Sequence, residues 1–174
     1  PHRQEALRRL GDLEMDRVDS RMANGEAAGT TEDYRTAVNR YQDYLRIYPT
    51  DPGNDRVLYQ LARAHELGGD LEASLRTLDR LVAAYPATRF LDEAQFRRGE
   101  LLFAQRAYDK AEAAYAEVLA SASRTPFHER SLSMQGWSRF KQGRLDDALR
   151  SFMAVLDVKL AGRGDAPLEQ IAGL

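Results

Sequence analysis

Apolar residues recur along most of this chain at intervals of three and four positions, which places them on one face of an α-helix. No segment alternates apolar and polar residues for as long as a half-buried strand requires. The pattern therefore predicts an all-helical protein. The predicted helices span residues 4–22, 32–48, 56–68, 71–85, 89–104, 108–121, 126–142 and 145–160.

Clusters of glycine, proline and short polar residues separate these helices, and such residues favour turns. They lie at 49–55, 68–70, 85–88, 123–126 and 142–144. Thr125 is predicted to cap the helix that follows it. Pro126 is predicted to occupy the first turn of that helix, where a missing N–H is no loss.

The helices fall into pairs that repeat every 37 positions, with small and large residues at fixed places in each cycle. A fixed period of this length is typical of stacked helical repeats. One small series is Gly25, Ala62, Gly99 and Gly136, and another is Ala37, Ser74, Ala111 and Ala148. The large series are Tyr34, Leu71, Tyr108 and Leu145, and Tyr41, Leu78, Tyr115 and Phe152.

Close packing between helices explains why small residues recur at these positions. Gly99 and Ala111 are predicted to lie where the two helices of one pair cross, because a long side chain there would hold the helices apart. Tyr108 and Tyr115 share the helix face of Ala111 and are predicted to fill the groove towards neighbouring pairs.

The repeat predicts a single array along the whole chain. Its first unit is degenerate, because the segment around Gly25 is a poor helix interior. The tail contains residues 166–171, which resemble the start of a further helix. The divisions are an N-terminal helix and half-unit over 1–31, a second helix of the first unit over 32–50, units over 55–86, 89–122 and 126–160, and a tail over 161–174.

Composition narrows the classes of function. A formal net charge of −2 with 30% charged residues leaves no basic excess for sequence-independent binding of nucleic acid. The absence of cysteine excludes disulfides and thiolate catalysis, and no apolar run is long enough to span a bilayer. Because the chain starts at Pro1, we expect it to be a piece of a longer protein.

The repeat unit resembles the tetratricopeptide repeat over residues 32–160. The matching positions are Ala94, Gly99, Tyr108, Ala111 and Tyr115 in the third unit, Gly136, Ala148 and Phe152 in the fourth, and Ala62, Ser74 and Leu78 in the second. The resemblance implies an all-α, right-handed superhelical array of antiparallel helix pairs, a TPR-like α-solenoid. The usual period of this family is about 34 residues, so the connections between units are predicted to be longer here.

Two further segments, Tyr48-Pro49 and residues 85–94, are similar to the longer-period repeats of bacterial envelope proteins. Those proteins include the lipoprotein subunit of the outer-membrane β-barrel assembly machine and the coordinator protein of the Tol-Pal system. This similarity implies a periplasmic or cell-envelope location, with the cytoplasm as the alternative.

The family binds peptides or protein partners on a concave face lined by the first helix of each unit, and the resemblance implies the same use here. Arginine and aromatic residues supply much of the binding energy in protein interfaces. The 37-residue shift identifies the corresponding positions. The candidate partner-binding residues are Arg56, Tyr59, Arg63, Phe96, Arg97, Glu100, Phe103, Ser133, Trp137 and Phe140.

Other interpretations stay open beside this one. Aromatic residues on helices more often pack than bind ligands, and this applies to Phe96 and Phe103. The chain can instead be a structural segment that packs against its own chain or, as a homodimer, against a second copy. It can also be a non-catalytic part of a larger enzyme.

No catalytic residue, cofactor or metal site is predicted. His2, His65 and His128 lie in different units without the spacing of metal ligands. Asp146 and Asp147 open a helix, where negative charge is favourable without any catalytic role. The sequence contains neither a glycine-rich phosphate loop nor a nucleophile elbow.

Overall fold

The computed structural model describes residues 2–25, 31–121 and 125–163, and all its regular secondary structure there is helical. Each predicted helix is present, and the observed bounds differ from the predicted ones by at most three residues. The predicted helix start at 166–171 lies outside the described residues. The helices are α1 (His2–Ala23), α2 (Thr31–Ile47), α3 (Asn54–Leu67), α4 (Leu71–Ala84), α5 (Leu91–Ala104), α6 (Tyr108–Leu119), α7 (His128–Lys141) and α8 (Leu145–Arg163).

The chain divides into two compact units, Pro1–Ala94 and Gln95–Leu174, and the division falls within α5. In the first unit α1 packs against α2, α2 against α3, and α3 against α4. In the second unit α6 packs against α7, and α7 against α8. Tyrosine and aliphatic side chains at most 2% exposed form the interior of the first unit: Tyr34, Tyr41, Tyr44, Val57, Leu58, Leu78 and Leu81.

The turn inside a helix pair has the same geometry three times. Gly69, Arg106 and Gly143, at 37-residue spacing, have φ angles of 82°, 63° and 77°. In each turn the following N–H donates to a carbonyl five residues back, as from Asp70 to His65 at 2.8 Å. This arrangement satisfies carbonyl groups that the end of the first helix leaves free. Glycine suits the left-handed backbone at this point, whereas Arg106 adopts it at some steric cost.

The starts of α4 and α7 differ in how the free N–H groups of the first turn are capped. At α4 the carboxylate of Asp70 accepts a hydrogen bond from the N–H of Ala73 at 3.0 Å, which is an N-terminal cap. At α7 the predicted cap is wrong. The helix begins at His128, and Pro126 lies in the turn before it. The hydroxyl of Thr125 has no hydrogen-bond partner among the described residues.

An aromatic contact replaces the missing cap at α7. Phe127 occupies the capping position, and its ring stacks against that of Phe96 with centroids 5.2 Å apart. The backbone N–H of His128 donates to the carbonyl of Thr125 at 3.1 Å. This helix therefore starts with a packed aromatic side chain at its capping position and without a side-chain hydrogen bond to its first turn.

A glycine meets an aromatic ring where the two helices of a pair cross. A Cβ atom at Gly99 would lie 2.5 Å from Cε1 of Tyr115, and one at Gly136 would lie 2.6 Å from Cε1 of Phe152. Gly99 is thus confirmed as a position that requires a small residue. The prediction for Tyr115 needs correction, since its ring lies on the glycine of its own pair rather than in a groove between pairs.

The same contact corrects the assignment of the first pair. A Cβ atom at Gly11 would lie 2.5 Å from Cε1 of Tyr41, so Gly11 is the counterpart of Gly99. Gly25, which the 37-residue series places there, follows α1 with a φ of 74°, and no atom of the described residues lies within 4 Å of its Cβ position. The ring follows its glycine by 30 positions in this pair and by 16 in α5–α6 and α7–α8. Compared with α5–α6, most of the difference lies in the helices, since α1 continues 12 residues beyond Gly11 whereas α5 continues 5 beyond Gly99.

The pair α3–α4 uses a different combination at this crossing. Ala62 and Leu78 occupy the positions of the glycine and the ring, and they are 1% and 0% exposed. Ser74 adds a hydrogen bond across the same pair, from its hydroxyl to the carbonyl of Ala62 at 2.9 Å. The smaller leucine leaves the space that the methyl group of alanine takes up.

A carboxylate joins three elements of the second unit. Glu112 of α6 accepts hydrogen bonds from Arg139 at 2.7 Å, from Arg144 at 2.7 Å and from Gln142 at 2.9 Å. Burial raises the pKa of Glu112, but the hydrogen bonds from Arg139 and Gln142 and the charge of Arg144 outweigh it, so its pKa lies below the ordinary value. This cluster ties α6 to α7 and to the turn before α8.

Candidate interaction surface

The candidate residues on α3 are mostly engaged within the first unit. Tyr59 is 8% exposed, and its ring stacks on that of Phe90 with centroids 4.5 Å apart and planes 10° apart. The guanidinium of Arg56 pairs with the carboxylate of Asp12 at 3.0 Å. Arg63 donates to the side-chain oxygen of Gln60 at 3.3 Å. Tyr59 is therefore a packing residue in this structure.

Arg56 belongs to a polar cluster that the sequence reasoning missed. Asp12 follows Gly11 along α1 and accepts a hydrogen bond from the hydroxyl of Tyr41 at 2.9 Å, in addition to the pairing with Arg56. Burial, with the charge of Asp12 adding to it, raises the pKa of Tyr41. The cluster holds the tyrosine ring over its glycine.

The same acid–tyrosine–arginine cluster occurs in the second unit. Glu100 accepts a hydrogen bond from the hydroxyl of Tyr115 at 3.0 Å and pairs with Arg130 at 3.4 Å. Burial, again with the neighbouring carboxylate charge, raises the pKa of Tyr115. A signal was present in the sequence, since the tyrosines and the arginines of the two clusters are both 74 positions apart.

Phe96 is also part of the packing. It is 4% exposed and lies 5.2 Å from the ring of Phe127 and 6.0 Å from that of Tyr115, between ring centroids. The guanidinium carbon of Arg130 lies 4.6 Å from the centroid of Phe96. Phe96 therefore has the surroundings of a core residue, which agrees with its interpretation as a packing residue.

Trp137 and Phe140 are the exposed aromatic residues among the candidates. Each is 46% exposed, and their rings meet edge to face with centroids 5.7 Å apart. Trp137 also lies edge-on to Phe152 at 5.3 Å. Trp137 follows Gly136 as Glu100 follows its glycine, so a ring–ring contact replaces the tyrosine–carboxylate bond of the preceding pair.

The remaining candidates are only partly accessible. Phe103 is half-buried and meets the ring of Tyr108 edge-on at 5.1 Å. Ser133 and Arg97 are half-buried too. Trp137 and Phe140 thus offer the largest accessible aromatic area among the predicted partner-binding residues.

The helix that follows carries a second apolar surface, the α8 stripe. Its members recur at helical spacing and are between 56% and 63% exposed: Leu145, Leu149, Met153, Leu156 and Leu160. Large side chains with this exposure and spacing form a continuous apolar band, and such bands mark contact surfaces more often than scattered residues do.

The described ranges hold neither a clustered set of metal ligands nor a helix suited to span a membrane. No group of three or more histidine or acidic residues within them is placed to hold a metal ion. Burial lowers the pKa of His65, the charge of Arg76 adds to this, and that of Asp70 opposes it. No helix in the same part of the chain is long and apolar enough to cross a bilayer.

Comparison with known sequences identifies the family of the repeat. One profile of the tetratricopeptide repeat matches residues 30–92, and a second profile of the same repeat matches residues 89–126. No protein among curated sequences matches the chain. The similarity to outer-membrane assembly and Tol-Pal proteins stays a prediction.

Solved structures share the fold. The crystal structure of MamA aligns with 92% of this chain and 81% of its own, with a TM-score of 0.68 and 20% identity. A MamA from Desulfovibrio magneticus RS-1 aligns with 84% of this chain and 74% of its own, with a TM-score of 0.61 and 18% identity.

A third structure is described as a kinesin light chain of Podosopora anserina with nearly identical TPR-like repeats. It aligns with 89% of this chain and 77% of its own, with a TM-score of 0.65 and 15% identity. Identities this low carry the fold and nothing about partners. The predicted all-α, TPR-like fold class is confirmed, and the chain is a tetratricopeptide-repeat protein whose matched repeats span residues 30–126.

Proposed function

We propose that this chain is a non-catalytic interaction module that binds a peptide or protein partner through the first-helix face of α7. Tetratricopeptide repeats generally mediate contacts between proteins, which supports the coarse function. The observation that carries the finer proposal is the exposed pair Trp137 and Phe140, each 46% exposed on a helix otherwise packed against α6 and α8. Exposed rings that are already oriented by a neighbour bind with little loss of conformational entropy.

The neighbourhood of this pair fits a binding role. Phe152 supports Trp137 from behind at 5.3 Å, so the indole is held while nearly half of its surface stays open to solvent. In the preceding pair the same position is Glu100, whose carboxylate is occupied by Tyr115. Trp137 therefore leaves part of its ring open to a partner, whereas Glu100 uses its carboxylate within its own helix pair.

The single tryptophan of the chain makes the test direct. Peptides selected by display against the whole chain should shift the Trp137 emission on binding. Phe140→Ala should raise their Kd about tenfold or more, since central aromatic residues are typical hot spots. Leu71→Ala, which removes another exposed apolar side chain from a different helix, should change Kd by less than about twofold. Selected peptides with equal Kd for wild type and Phe140→Ala would contradict the proposal.

A second candidate is self-association, and the α8 stripe favours it. Five large apolar residues more than half exposed on one helix can bury against a second copy of the same helix. Light scattering separates the candidates. A monomer over the micromolar range supports the first proposal, while a dimer that Leu149→Glu and Leu156→Glu dissociate supports the second.

We propose a bacterial envelope location, which the resemblance of residues 85–94 to envelope repeats supports. The gene that encodes the full protein provides the test. An upstream secretion or lipoprotein signal would support this location, and a fusion to a cytoplasmic domain without one would contradict it.

A further inference from the structure

A cleft of about 570 Å³ lies in the first unit between α2 and α4, with α3 as its floor. The floor is apolar, because Leu45, Leu58 and Leu61 line it and are at most 6% exposed. Leu58 and Leu61 lie on the opposite side of α3 from Arg63 by helical spacing. The α2–α4 cleft is therefore separate from the predicted first-helix face.

The rim of the α2–α4 cleft is basic. Arg46 of α2 and Arg76 and Arg80 of α4 line it, against one carboxylate, Asp70. That carboxylate already accepts the N–H of Ala73 as the cap of α4. The rim thus carries an excess of positive charge above an apolar floor, which suits a ligand with both a carboxylate and an aliphatic group.

The ion pairs that these arginines already form are weak. Arg46 pairs with Asp43 at 2.9 Å and Arg76 with Glu72 at 3.3 Å, in both cases between exposed side chains one helical turn apart. Exposed pairs of this kind contribute about 0.2–1 kcal/mol. Arg80 has no ion pair among the residues that the structure describes. A carboxylate from a partner can therefore recruit all three.

The second unit shows what the cleft lacks. Arg150, 74 positions after Arg76, pairs with Asp147. The residue 74 positions before Asp147 is Ala73, which lines the cleft. The first unit therefore keeps the arginine but has a small apolar residue in place of its carboxylate. This exchange opens the space and leaves Arg76 with only its exposed pairing to Glu72 on the same helix.

We propose that the α2–α4 cleft binds an acidic segment of a protein partner, with an aliphatic side chain on the leucine floor and carboxylates against Arg46, Arg76 and Arg80. A bare inorganic anion would leave the apolar floor uncovered. Nucleic acid is favoured by neither the net charge of −2 nor a rim of three arginines.

The test is fluorescence anisotropy with the whole chain and a labelled, end-blocked peptide of repeated Glu-Leu-Glu. Wild type should bind with an affinity that falls as salt rises. The double variant Arg76→Glu, Arg80→Glu should raise Kd more than tenfold, and Ala73→Asp should do the same by supplying the missing carboxylate internally. Arg40→Glu, an exposed arginine of α2 outside the cleft, is the matched control and should change Kd by less than about twofold.

Several results would overturn the proposal. They are no binding by wild type at millimolar peptide, an unchanged Kd in the double variant, equal binding of a Gln-Leu-Gln peptide, and displacement by glutamate or by an oligonucleotide at peptide-like concentrations. If the double variant fails to fold by circular dichroism, Arg80→Gln provides the comparison, with a Kd rise of at least threefold expected and an unchanged Kd contradicting the proposal. Trp137→Ala should bind this peptide as wild type does, which separates the cleft from the face of α7.

Discussion

Gly99 and Tyr115 set the approach of α5 to α6 through one close contact. The ring is fully buried, and its hydroxyl is anchored by Glu100 at 3.0 Å, so the ring cannot move aside. The place of a Cβ atom on residue 99 is already occupied, at 2.5 Å from the ring. Small size at this residue is therefore a packing requirement.

Gly99→Ala is expected to lower the free energy of unfolding by about 1–2 kcal/mol. Overpacking of a filled core costs about 1–3 kcal/mol, and the better helix propensity of alanine returns up to about 1 kcal/mol. Urea unfolding followed by circular dichroism measures the change. A variant as stable as wild type would show that the ring yields without cost.

The pair Ala62 and Leu78 supplies the control for that experiment, since alanine and leucine coexist at the equivalent crossing. In the double variant Gly99→Ala, Tyr115→Leu, the loss should be smaller than the sum of the two single losses by about 1 kcal/mol. Strict additivity would contradict a direct contact between the two positions.

Single residues also show where sequence reasoning reaches its limit. The period correctly identified Gly99 as a crossing residue, because chain spacing and packing coincide in that pair. It could not separate Phe96, which is 4% exposed, from Phe140, which is 46% exposed, because both are aromatic residues on a first helix. Exposure depends on what packs against each side chain, and the sequence does not state that.

At the scale of helices, the two starts at α4 and α7 differ in what stabilises them. Asp70→Ala should destabilise the protein by about 1 kcal/mol, since it removes the acceptor for the N–H of Ala73. Thr125→Ala should cost little, because its hydroxyl is buried without a hydrogen-bond partner in the described structure. Thermal unfolding of both variants tests this. A larger loss of stability for Thr125→Ala than for Asp70→Ala would support the hydroxyl cap predicted from the sequence.

The carboxylate of Glu112 makes the junction of α6, α7 and α8 sensitive to acid. Its folded-state pKa lies below the ordinary value of 4.5, so its contribution to stability is present above that pH. The contribution is lost as the pH falls through the lower folded-state pKa. Glu112→Gln should therefore be less stable than wild type at pH 7, and the difference should shrink as the pH falls below about 4.5.

Urea unfolding of wild type and Glu112→Gln at several pH values between 3 and 7 gives this difference directly. Glu5, whose pKa is lowered by hydrogen bonds from Arg8 and Arg9, titrates in both proteins alike, and Asp147, which shares Arg144 with Glu112, is replaced by asparagine in both. Their effect cancels in the comparison. A difference that stays constant with pH would contradict the assignment to Glu112.

At the scale of the whole chain, periodicity gave the class of fold and the helix bounds, because each turn repeats the same backbone geometry at 69, 106 and 143. It failed in the first pair, because a period counts positions along the chain whereas packing depends on which surfaces meet. Gly25 has the 37-residue spacing but not the contact with a ring, whereas Gly11 contacts the ring of Tyr41 but lies outside that spacing. The α2–α4 cleft could not be predicted either, since it depends on three helices and on the absence of a carboxylate at Ala73.

The displaced glycine of α1 has a practical consequence for protein engineering. Tyr41 reaches Gly11 across 30 positions, because α1 continues for 12 residues beyond the glycine and α2 begins 10 residues before the ring. The crossing thus accepts helices that continue for different lengths beyond it, so a designed pair can be lengthened by whole helical turns without changing the contact that joins its helices.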